Sequence, residues 1–426
     1  MFLWHGYHRV WPYLHHESLF RVTTNALDSA RSTIGQPSFY KSLKLAPSGE
    51  PGYARTAKYI GAFNGVNAAG SAIGAMICAY CADKFGRKKT IQGAAAVLIL
   101  GAAICAGSVD VGMFLAGRLI NGLGIGALVS RDLSLCVPAS LTSVPVTAIP
   151  MYQAEVSTPE SRGFMVSMHG VMFATGYTLS AWLGFGAYFG TANGSTSSWP
   201  WRFPIAFQMA PALLLLAGSA WLPYSPRWLI AQNRYDEAHD VLVKLHRTKE
   251  DQHDSMARKE FYQMKKQVEL DRQIKAKTSR FELFKTAPNR RRALVGFLLM
   301  WNNQFTGVLI IANYGVILYI SLGMSGSMPL LLSSLWVTST FPGNIFCAFF
   351  VEKLGRRLFM LTGLIGILVC LICETALQAV YLGTNNRAGQ NAAIFFIFLV
   401  RRSASDTWPQ STNRLSSSLR HSGRLS

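Results

Sequence analysis

Charged residues are scarce in this chain. Only 15% of its 426 residues are Asp, Glu, Lys or Arg, whereas soluble domains carry about 25%. Catalytic signatures are also lacking, because we find no Ser/His/Asp triad, no phosphate-binding loop and no cluster at metal-ligand spacing. The stretch Gly122–Gly126 is not a dinucleotide-binding fingerprint, since no soluble strand precedes it. These absences argue against an enzyme, and we expect neither a cofactor nor a bound metal ion.

Cysteine is infrequent, and its placement does not favour metal chemistry. Among the seven cysteines, two pairs have the C-x-x-C spacing of metal or redox sites, and they are Cys78 with Cys81 and Cys370 with Cys373. Both pairs lie inside apolar stretches, with no histidine close by in the sequence. We favour a role in helix packing for these thiols, and a metal or redox site is the alternative.

Long apolar stretches are abundant. Half of the residues are hydrophobic, and eight stretches are each about long enough to cross a ~30 Å hydrocarbon core as a helix. They are Gly61–Ala82, Ile91–Ser108, Val111–Val129, Phe164–Phe189, Ile205–Leu222, Ala293–Leu322, Leu330–Val351 and Leu358–Tyr381, and a shorter ninth is Ala392–Val400. We therefore predict an all-α, polytopic protein of the lipid bilayer.

The placement of the net charge of +20 gives the orientation. Basic residues cluster in three loops, which lie after the first span, between the fifth and sixth spans and after the seventh span. These loops are Lys84–Lys89, Arg227–Arg292 and Lys353–Arg357, whereas the intervening loops Ser108–Val111, Gly190–Pro200 and Met324–Met328 contain no Lys or Arg. Positive charge on alternate loops places the basic side in the cytoplasm and argues against a nucleic-acid partner.

A short loop sequence occurs twice. Asp83–Lys89 follows the first span and Glu352–Arg357 follows the seventh, and each reads acid, base, apolar residue, Gly, Arg, base. Glycine allows a sharp turn between antiparallel helices, and the acids and arginines can pair across it. Repetition at matching positions indicates a transporter built of two halves, whose cytoplasmic ends are held closed by charge pairs. The alternative is ordinary anchoring by positive loops.

The third span contains a charge. Arg118 lies about 12 Å inside the apolar stretch, among glycines at Gly117, Gly122, Gly124 and Gly126 that allow close helix approach. A charge at this depth costs a few kcal/mol, so Arg118 is expected to face a cavity or a partner. Snorkelling of its side chain to the outer surface is the alternative.

Polar side chains also occur in the fourth and sixth spans. The sixth span contains amide and phenol groups that suit a hydroxyl-rich solute, and they are Asn303, Gln304, Asn313 and Tyr314. A helix break at Gly307 would let Gln304 and Asn313 face one cavity. Hydrogen bonds between helices are the alternative role.

His169, in the fourth span, is a candidate proton relay or solute ligand, with packing as the alternative.

Several short motifs follow one another in a set order. They are Asp83–Lys89, Gly117-Arg118 with its glycines, Pro150–Glu155 leading to Pro159–Gly163, Pro223–Trp228, Asn303–Gly307 and Glu352–Arg357. Together they resemble the sugar porters of the major facilitator superfamily, and more closely their fungal quinate and lactose permease-like members. The resemblance covers Ser32–Val129 and Thr147–Val400.

The resemblance implies two helical bundles that alternate access to a central site. It implies that Gln304 and Asn313 line the solute site, and that Arg118 matches an arginine that faces an acid in proton-coupled members. It also implies a cytoplasmic charge lattice, whose members are Asp83, Arg87, Glu155, Arg162, Arg227, Glu352 and Arg356. Gly170 and Tyr224 depart from the family pattern, which favours an unusual polyol or acid over a hexose.

Three parts of the chain depart further from the family. Residues 1–58 are atypical, residues 130–146 place charges and prolines within a membrane helix, and residues 401–426 form a polar tail. We therefore expect the family's first helix and last two helices to be missing or degenerate. Our hypothesis is a faulty gene model, with an untranslated start, a retained intron and a frameshifted end. Between these parts we place an N-terminal bundle (59–222), a cytoplasmic linker with short helices (223–292) and a partial C-terminal bundle (293–400).

The resemblance implies a function. We predict a multi-pass transporter of the plasma membrane that moves a sugar, a polyol or quinate, with or without proton coupling. The alternatives are a membrane nutrient sensor of the same fold and a non-functional truncated remnant.

Overall fold

A computed structural model describes residues 33–47, 50–129, 162–191, 198–246, 254–277, 290–291, 294–295, 298, 305, 307–324, 326–340, 356–381, 386 and 388–400. Regular structure within these ranges is helical throughout. The helices are α1 (Pro37–Ser42), α2 (Tyr53–Phe85), α3 (Arg87–Ala106), α4 (Val111–Val129), α5 (Arg162–Tyr188), α6 (Trp199–Phe207), α7 (Met209–Gly218), α8 (Pro226–Ala231), α9 (Tyr235–His246), α10 (Ser255–Lys277), α11 (Val308–Ser321), α12 (Met328–Thr338), α13 (Arg356–Tyr381) and α14 (Ala388–Val400).

Several of these helices have the length and composition of membrane spans. Five qualify outright, and they are Tyr53–Phe85, Arg87–Ala106, Val111–Leu128, Trp199–Gly218 and Leu361–Tyr381. Ile310–Ser321, Met328–Thr338 and Ala388–Val400 are shorter apolar helices. The predicted all-α, polytopic membrane architecture is confirmed. Of the predicted departures from the family, residues 1–32, 130–146 and 401–426 lie outside the described residues, whereas most of residues 33–58 is described.

Two predicted spans begin six or more residues earlier in the structure than the hydropathy suggests. Helix α2 begins at Tyr53 rather than Gly61, because its polar first turns remain helical and Arg55 donates to the Tyr59 hydroxyl. The predicted fifth span begins at Trp199 and comprises α6 and α7, which are separated at Gln208. A polar or aromatic helix end carries little hydropathy signal, and this is why the apolar windows underestimate both helices.

One glycine makes the whole turn between α2 and α3. Helix α2 ends at Phe85 and α3 begins at Arg87, and Gly86 between them has a φ of 83°. A side chain would be strained at this φ, and a Cβ atom on Gly86 would lie 2.9 Å from the indole ring of Trp228. The sharp turn that the sequence predicts is therefore confirmed, and its cytoplasmic location stays a prediction. The matching turn before α13 lies outside the described residues.

Helix α4 packs against two neighbours through glycines on two of its faces. Gly122 and Gly126 lie against the backbone of α2, while Gly117 and Gly124 lie against α3. A Cβ atom at any of these positions would overlap atoms of the neighbouring helix. Glycines of the partner helices meet α4 in the same way, and they are Gly70 and Gly74 of α2 and Gly101 of α3. The predicted close helix approach is confirmed.

The N-terminal helices α2–α7 and the C-terminal helices α11–α14 meet through α5. The Ser334 hydroxyl on α12 donates to the carbonyl oxygen of Ala181 at 3.1 Å, and the Trp182 indole donates to the Thr338 hydroxyl at 3.0 Å. Ala181 also belongs to the hydrophobic cluster of α11–α14. Helix α5 therefore packs with both sets of helices.

The segment between α7 and α11 contains a small layer of short helices. Helices α8, α9 and α10 pack around a hydrophobic cluster of Leu229, Ile230, Ala238 and Val268. The Trp228 indole, at the edge of this cluster, donates to the carbonyl oxygen of Asp83 at 3.3 Å. The layer is thus attached to the α2–α3 turn, which is on the side predicted to be cytoplasmic.

The glycine contacts of α4 generate a stability prediction. We expect Gly126→Leu to destabilise the protein by at least about 2 kcal/mol, because the side chain must displace the α2 backbone. Gly112→Leu, on the same helix, is the matched control, since a Cβ atom at Gly112 meets nothing within 4 Å. Thermal unfolding of the detergent-purified variants measures the difference. Equal melting of the two variants would contradict the close packing of α2 on α4.

Candidate functional site

Arg118 lies inside the three-helix core of α2, α3 and α4. Its side chain is only 3% exposed, and its guanidinium carbon lies 5.2 Å from the centroid of the Phe114 ring. Phe114 itself packs against Phe63 of α2, with ring centroids 4.8 Å apart. This burial favours an interior location of Arg118 over the snorkelling alternative. Its role in coupling stays a prediction.

Buried amides extend this polar region along the contact between α2 and α4. Asn121, one turn after Arg118, is 1% exposed, and Asn67 of α2 is 2% exposed. Within the described part of the chain, neither the Oδ1 nor the Nδ2 atom of Asn121 has a hydrogen-bond partner. The same holds for the Oδ1 atom of Asn67. Asn67 was not predicted from the sequence, although it is an amide in an apolar stretch, like the amides that were predicted as site residues in the sixth span.

The predicted solute site is placed only in part. Gly307 has a φ of 72° and α11 begins at Val308, which is compatible with the predicted helix break at this glycine. Asn313 and Tyr314 lie on α11 and are both half-buried. Asn303 and Gln304 lie outside the described residues, and their approach to Asn313 stays a prediction.

His169 and Arg162 belong to the first turns of α5, where the helix but not the side chains is described. Arg356 likewise begins α13. Glu155 and Glu352 lie outside the described ranges. Of the predicted cytoplasmic lattice, the structure describes the side chains of Asp83, Arg87 and Arg227, and the lattice itself stays a prediction.

Asp83 and Arg87 face each other across the α2–α3 turn. Their side chains approach to 3.7 Å between Nη1 and Oδ1, and the same Nη1 donates to the carbonyl oxygen of Ala82 at 3.1 Å. Arg87 is buried while Asp83 is exposed. The two residues thus stabilise the turn that they flank, and their part in gating stays a prediction.

Arg227 pairs with Asp271, which was not predicted from the sequence as a member of the lattice. Its Nη2 atom donates to Oδ2 of Asp271 on α10 at 2.9 Å. The neighbouring Arg272 donates to the carbonyl oxygen of Ala231 at 2.6 Å. Asp271 is distant in sequence and lies in a helix dense with charge, so no local pattern marks it as the partner. The pair holds α10 against α8.

A cleft between α5 and the α6–α7 pair contains none of the predicted site residues. It is lined mainly by small and apolar residues, with Ser180 and Gln208 as its polar members. Pro204 and Pro211 flank Gln208 at the junction of the two short helices. The cleft follows from this broken helix.

The comparisons with known proteins identify the family. The sequence profile described as "Sugar (and other) transporter" matches residues 31–402. The chain therefore belongs to this family of membrane transporters. The sequence-based recognition of a sugar porter is confirmed, and the protein is an integral, multi-pass membrane protein.

Individual relatives agree with the family. The MFS-type transporter criB of Aspergillus cristatus is 28% identical over 87% of this chain and 73% of that protein. The sugar transporter STL1 of Saccharomyces cerevisiae is 30% identical over 69% of this chain and 48% of its own length. The arabinose-proton symporter of Escherichia coli is 31% identical over 68% and 54%. The chain spans about half the length of the latter two relatives, and these relatives are transporters rather than enzymes.

Solved structures establish the fold. The xylose transporter XylE from Escherichia coli, in a partially occluded inward open conformation, superposes with a TM-score of 0.69 at 19% identity, over 95% of this chain and 88% of XylE. XylE bound to 6-bromo-6-deoxy-D-glucose gives a TM-score of 0.68 at 22% identity, over 93% and 80%. The predicted major facilitator fold is confirmed.

The Arg227–Asp271 pair generates a prediction. The two side chains are 35% and 46% exposed, so a double-mutant cycle of Arg227→Gln and Asp271→Asn should give a coupling energy of about 0.2–1 kcal/mol. Arg258→Gln combined with Asp271→Asn is the control, because Arg258 is exposed on the same helix. Thermal unfolding in detergent measures both cycles. Coupling that is no larger than in the control would show that the pair does not form.

Proposed function

We propose that this protein carries a small sugar-like solute, either a sugar, a polyol or quinate, across the plasma membrane by alternating access, with or without proton coupling. The family profile along most of the chain supports this proposal. The observation on this chain that carries it is the positive φ at Gly307, after which α11 begins and places the half-buried Asn313 and Tyr314 on the following turns.

A broken membrane helix is a physical requirement for such a site. Irregular backbone in a bilayer is tolerated where it lies within protein or lines a water-filled cavity. Amide and phenol groups then bind hydroxyl groups, since they both donate and accept hydrogen bonds. We propose that Asn303, Gln304, Asn313 and Tyr314 contact the solute, with His169 as a further ligand from α5.

Proton coupling has two supports. Two similar proteins are named as proton symporters, the arabinose-proton symporter and XylE. In this chain, Arg118 places a buried cation within the N-terminal helices. A buried guanidinium responds to the protonation of any acid that approaches it. We propose that Arg118 takes part in coupling in this way.

Alternating access requires contacts that form and break between the two sets of helices. Gly35 lies near the start of α12, on the side predicted to be the outer one, and a Cβ atom there would be 2.5 Å from Leu330 of α12 and 3.3 Å from Val316 of α11. Gln36, the next residue, donates to the carbonyl oxygen of Gly184 on α5 at 2.8 Å. This outer contact joins both sets, and we propose that it opens when solute enters. We propose that charged residues form the contact that opens and closes on the cytoplasmic side. They are Asp83, Arg87, Glu155, Arg162, Arg227, Glu352 and Arg356.

Uptake by the full chain in proteoliposomes tests the proposal. The probes are radiolabelled D-xylose, L-arabinose, D-glucose, glycerol and quinate, each measured with and without a protonophore. Uptake of at least one probe above that of empty vesicles is expected. Absence of uptake for every probe would count against the function.

The solute site has its own prediction. We expect Gln304→Ala to raise the apparent KM about tenfold, the equivalent of about 1.4 kcal/mol for a lost hydrogen bond, without lowering the amount of protein. Gln92→Ala is the control, since the amide of Gln92 donates to the Ser219 hydroxyl within the N-terminal helices. Initial uptake rates over a range of solute concentrations give KM. An unchanged KM for Gln304→Ala would reject Gln304 as a solute ligand.

The outer contact generates a separate prediction. We expect Gly35→Trp to prevent closure of the outer side, because an indole cannot fit between Gly35 and Leu330. Turnover should fall about tenfold or more, while solute binding from the outer side is retained. Gly112→Trp is the control, at an outer helix end with open space around it. Equal turnover in the two variants would show that this contact does not open and close during transport.

A further inference from the structure

One acidic residue lies within the membrane-spanning part of α13. Residues Leu361–Tyr381 form an apolar span, and Glu374 is its only Asp or Glu. Glu374 precedes the end of the helix by seven residues, a distance of about 10 Å along the axis. Its side chain is shorter than that of Lys or Arg and cannot extend to the membrane surface over this distance.

Glu374 belongs to the inward-facing side of its helix. It is 7% exposed, and Ile367 and Cys370 on the same side are 3% and 4% exposed. Both of these neighbours belong to the hydrophobic cluster that α13 forms with α5, α11, α12 and α14. On the opposite side, Val369 and Ile372 are 52% and 61% exposed. The carboxyl group therefore faces the helix packing and not the lipid.

The Glu374 carboxyl group has one hydrogen-bond partner among the described residues. The amide of Gln378, one turn further along α13, donates to Oε1 of Glu374. An amide donor can contact the carbonyl oxygen of a neutral carboxylic acid as well as an oxygen of a carboxylate. This contact therefore does not require Glu374 to be charged.

The side chains around Glu374 supply no positive charge. Within their described parts, α5, α11, α12 and α14 carry no Lys, Arg, His, Asp or Glu with a described side chain. The titratable groups that these helices and α13 itself bring are phenols and thiols, namely Tyr177, Tyr188, Tyr314, Tyr319, Cys370, Cys373 and Tyr381. Phenols and thiols are neutral at pH 7 when unperturbed. Among these described side chains, none would provide a counter-charge for a carboxylate at this position.

An unpaired charge inside a membrane protein costs several kcal/mol, and binding of a proton removes that cost. We propose that Glu374 is a proton-binding site of the C-terminal helices. The site holds a proton while the helices are packed around α13, and it releases the proton to water when the helices separate during transport. The step is R–COOH to R–COO⁻ plus H⁺, so no other reactant is needed. This inference rests on the proposed transport function for its release step, while the bound proton does not depend on it.

Such a role differs from that of a structural hydrogen bond. Gln at position 374 keeps the size of the side chain and can still accept from Gln378, but it cannot exchange a proton. Glu374→Gln therefore separates the two roles. A structural role is satisfied by Gln, whereas a proton site is abolished by it.

Infrared difference spectroscopy of the full chain in lipid nanodiscs tests proton binding directly. Stepping the pH should reveal a protonated-carboxyl C=O band at neutral pH that is lost in Glu374→Gln. Glu269→Gln, at an exposed position on α10, should leave the band unchanged. Gln378→Leu should keep the band and move it to higher frequency, because the carbonyl oxygen loses its donor. Identical spectra for the wild-type chain and Glu374→Gln would overturn the proposal.

Uptake of the radiolabelled probes at a series of pH values tests the release step. The pH dependence of uptake should become at least about threefold shallower in Glu374→Gln and stay unchanged in Glu269→Gln. An unaltered pH profile in Glu374→Gln would overturn a role in coupling. If no probe is taken up by any variant, the transport function fails, and the infrared band alone decides whether Glu374 binds a proton.

Discussion

Close approach of helix backbones at glycine is the constraint on which the N-terminal helices depend. Inside a bilayer, apolar side chains gain nothing by leaving lipid for another helix, so association relies on van der Waals contact and hydrogen bonds. Helix α4 obtains that contact on two sides, through Gly122 and Gly126 toward α2 and through Gly117 and Gly124 toward α3. Larger side chains at these positions would separate the helices and remove most of the contact.

This tight packing creates the setting for the polar residues. Arg118 is buried because the three helices around it are close together, and Phe114 can then cover its guanidinium group. Glu374 is the corresponding feature in the C-terminal helices, an acid within a hydrophobic cluster with an amide as its partner. Each set of helices thus buries an ionisable residue within its apolar packing, the basic Arg118 in the first and the acidic Glu374 in the second. A buried ionisable group responds strongly to hydration, which alternating access would change.

The candidate site was predictable where the signal is local. A charge in an apolar stretch identified Arg118, and glycine spacing identified the faces of α4 that contact other helices. The positive φ of Gly307 is compatible with the break predicted there from the properties of glycine. Glu374 carries the same signal as Arg118, an ionisable side chain in an apolar stretch, but it was not predicted from the sequence. Asp271 could not have been found in this way, since an ion pair between distant residues leaves no pattern in either local sequence.

The sequence by itself determined that this is a polytopic helical membrane protein of the sugar-transporter family, and which side of it is basic. Those properties depend on the free energy of transferring each segment from water to lipid, which is a sum over the side chains of that segment. Only the tertiary structure decided that Arg227 pairs with Asp271, that α5 packs with both sets of helices, and that Glu374 faces inward. These depend on which helices become neighbours, and neighbours are chosen by shape and contact between parts of the chain that are far apart in sequence.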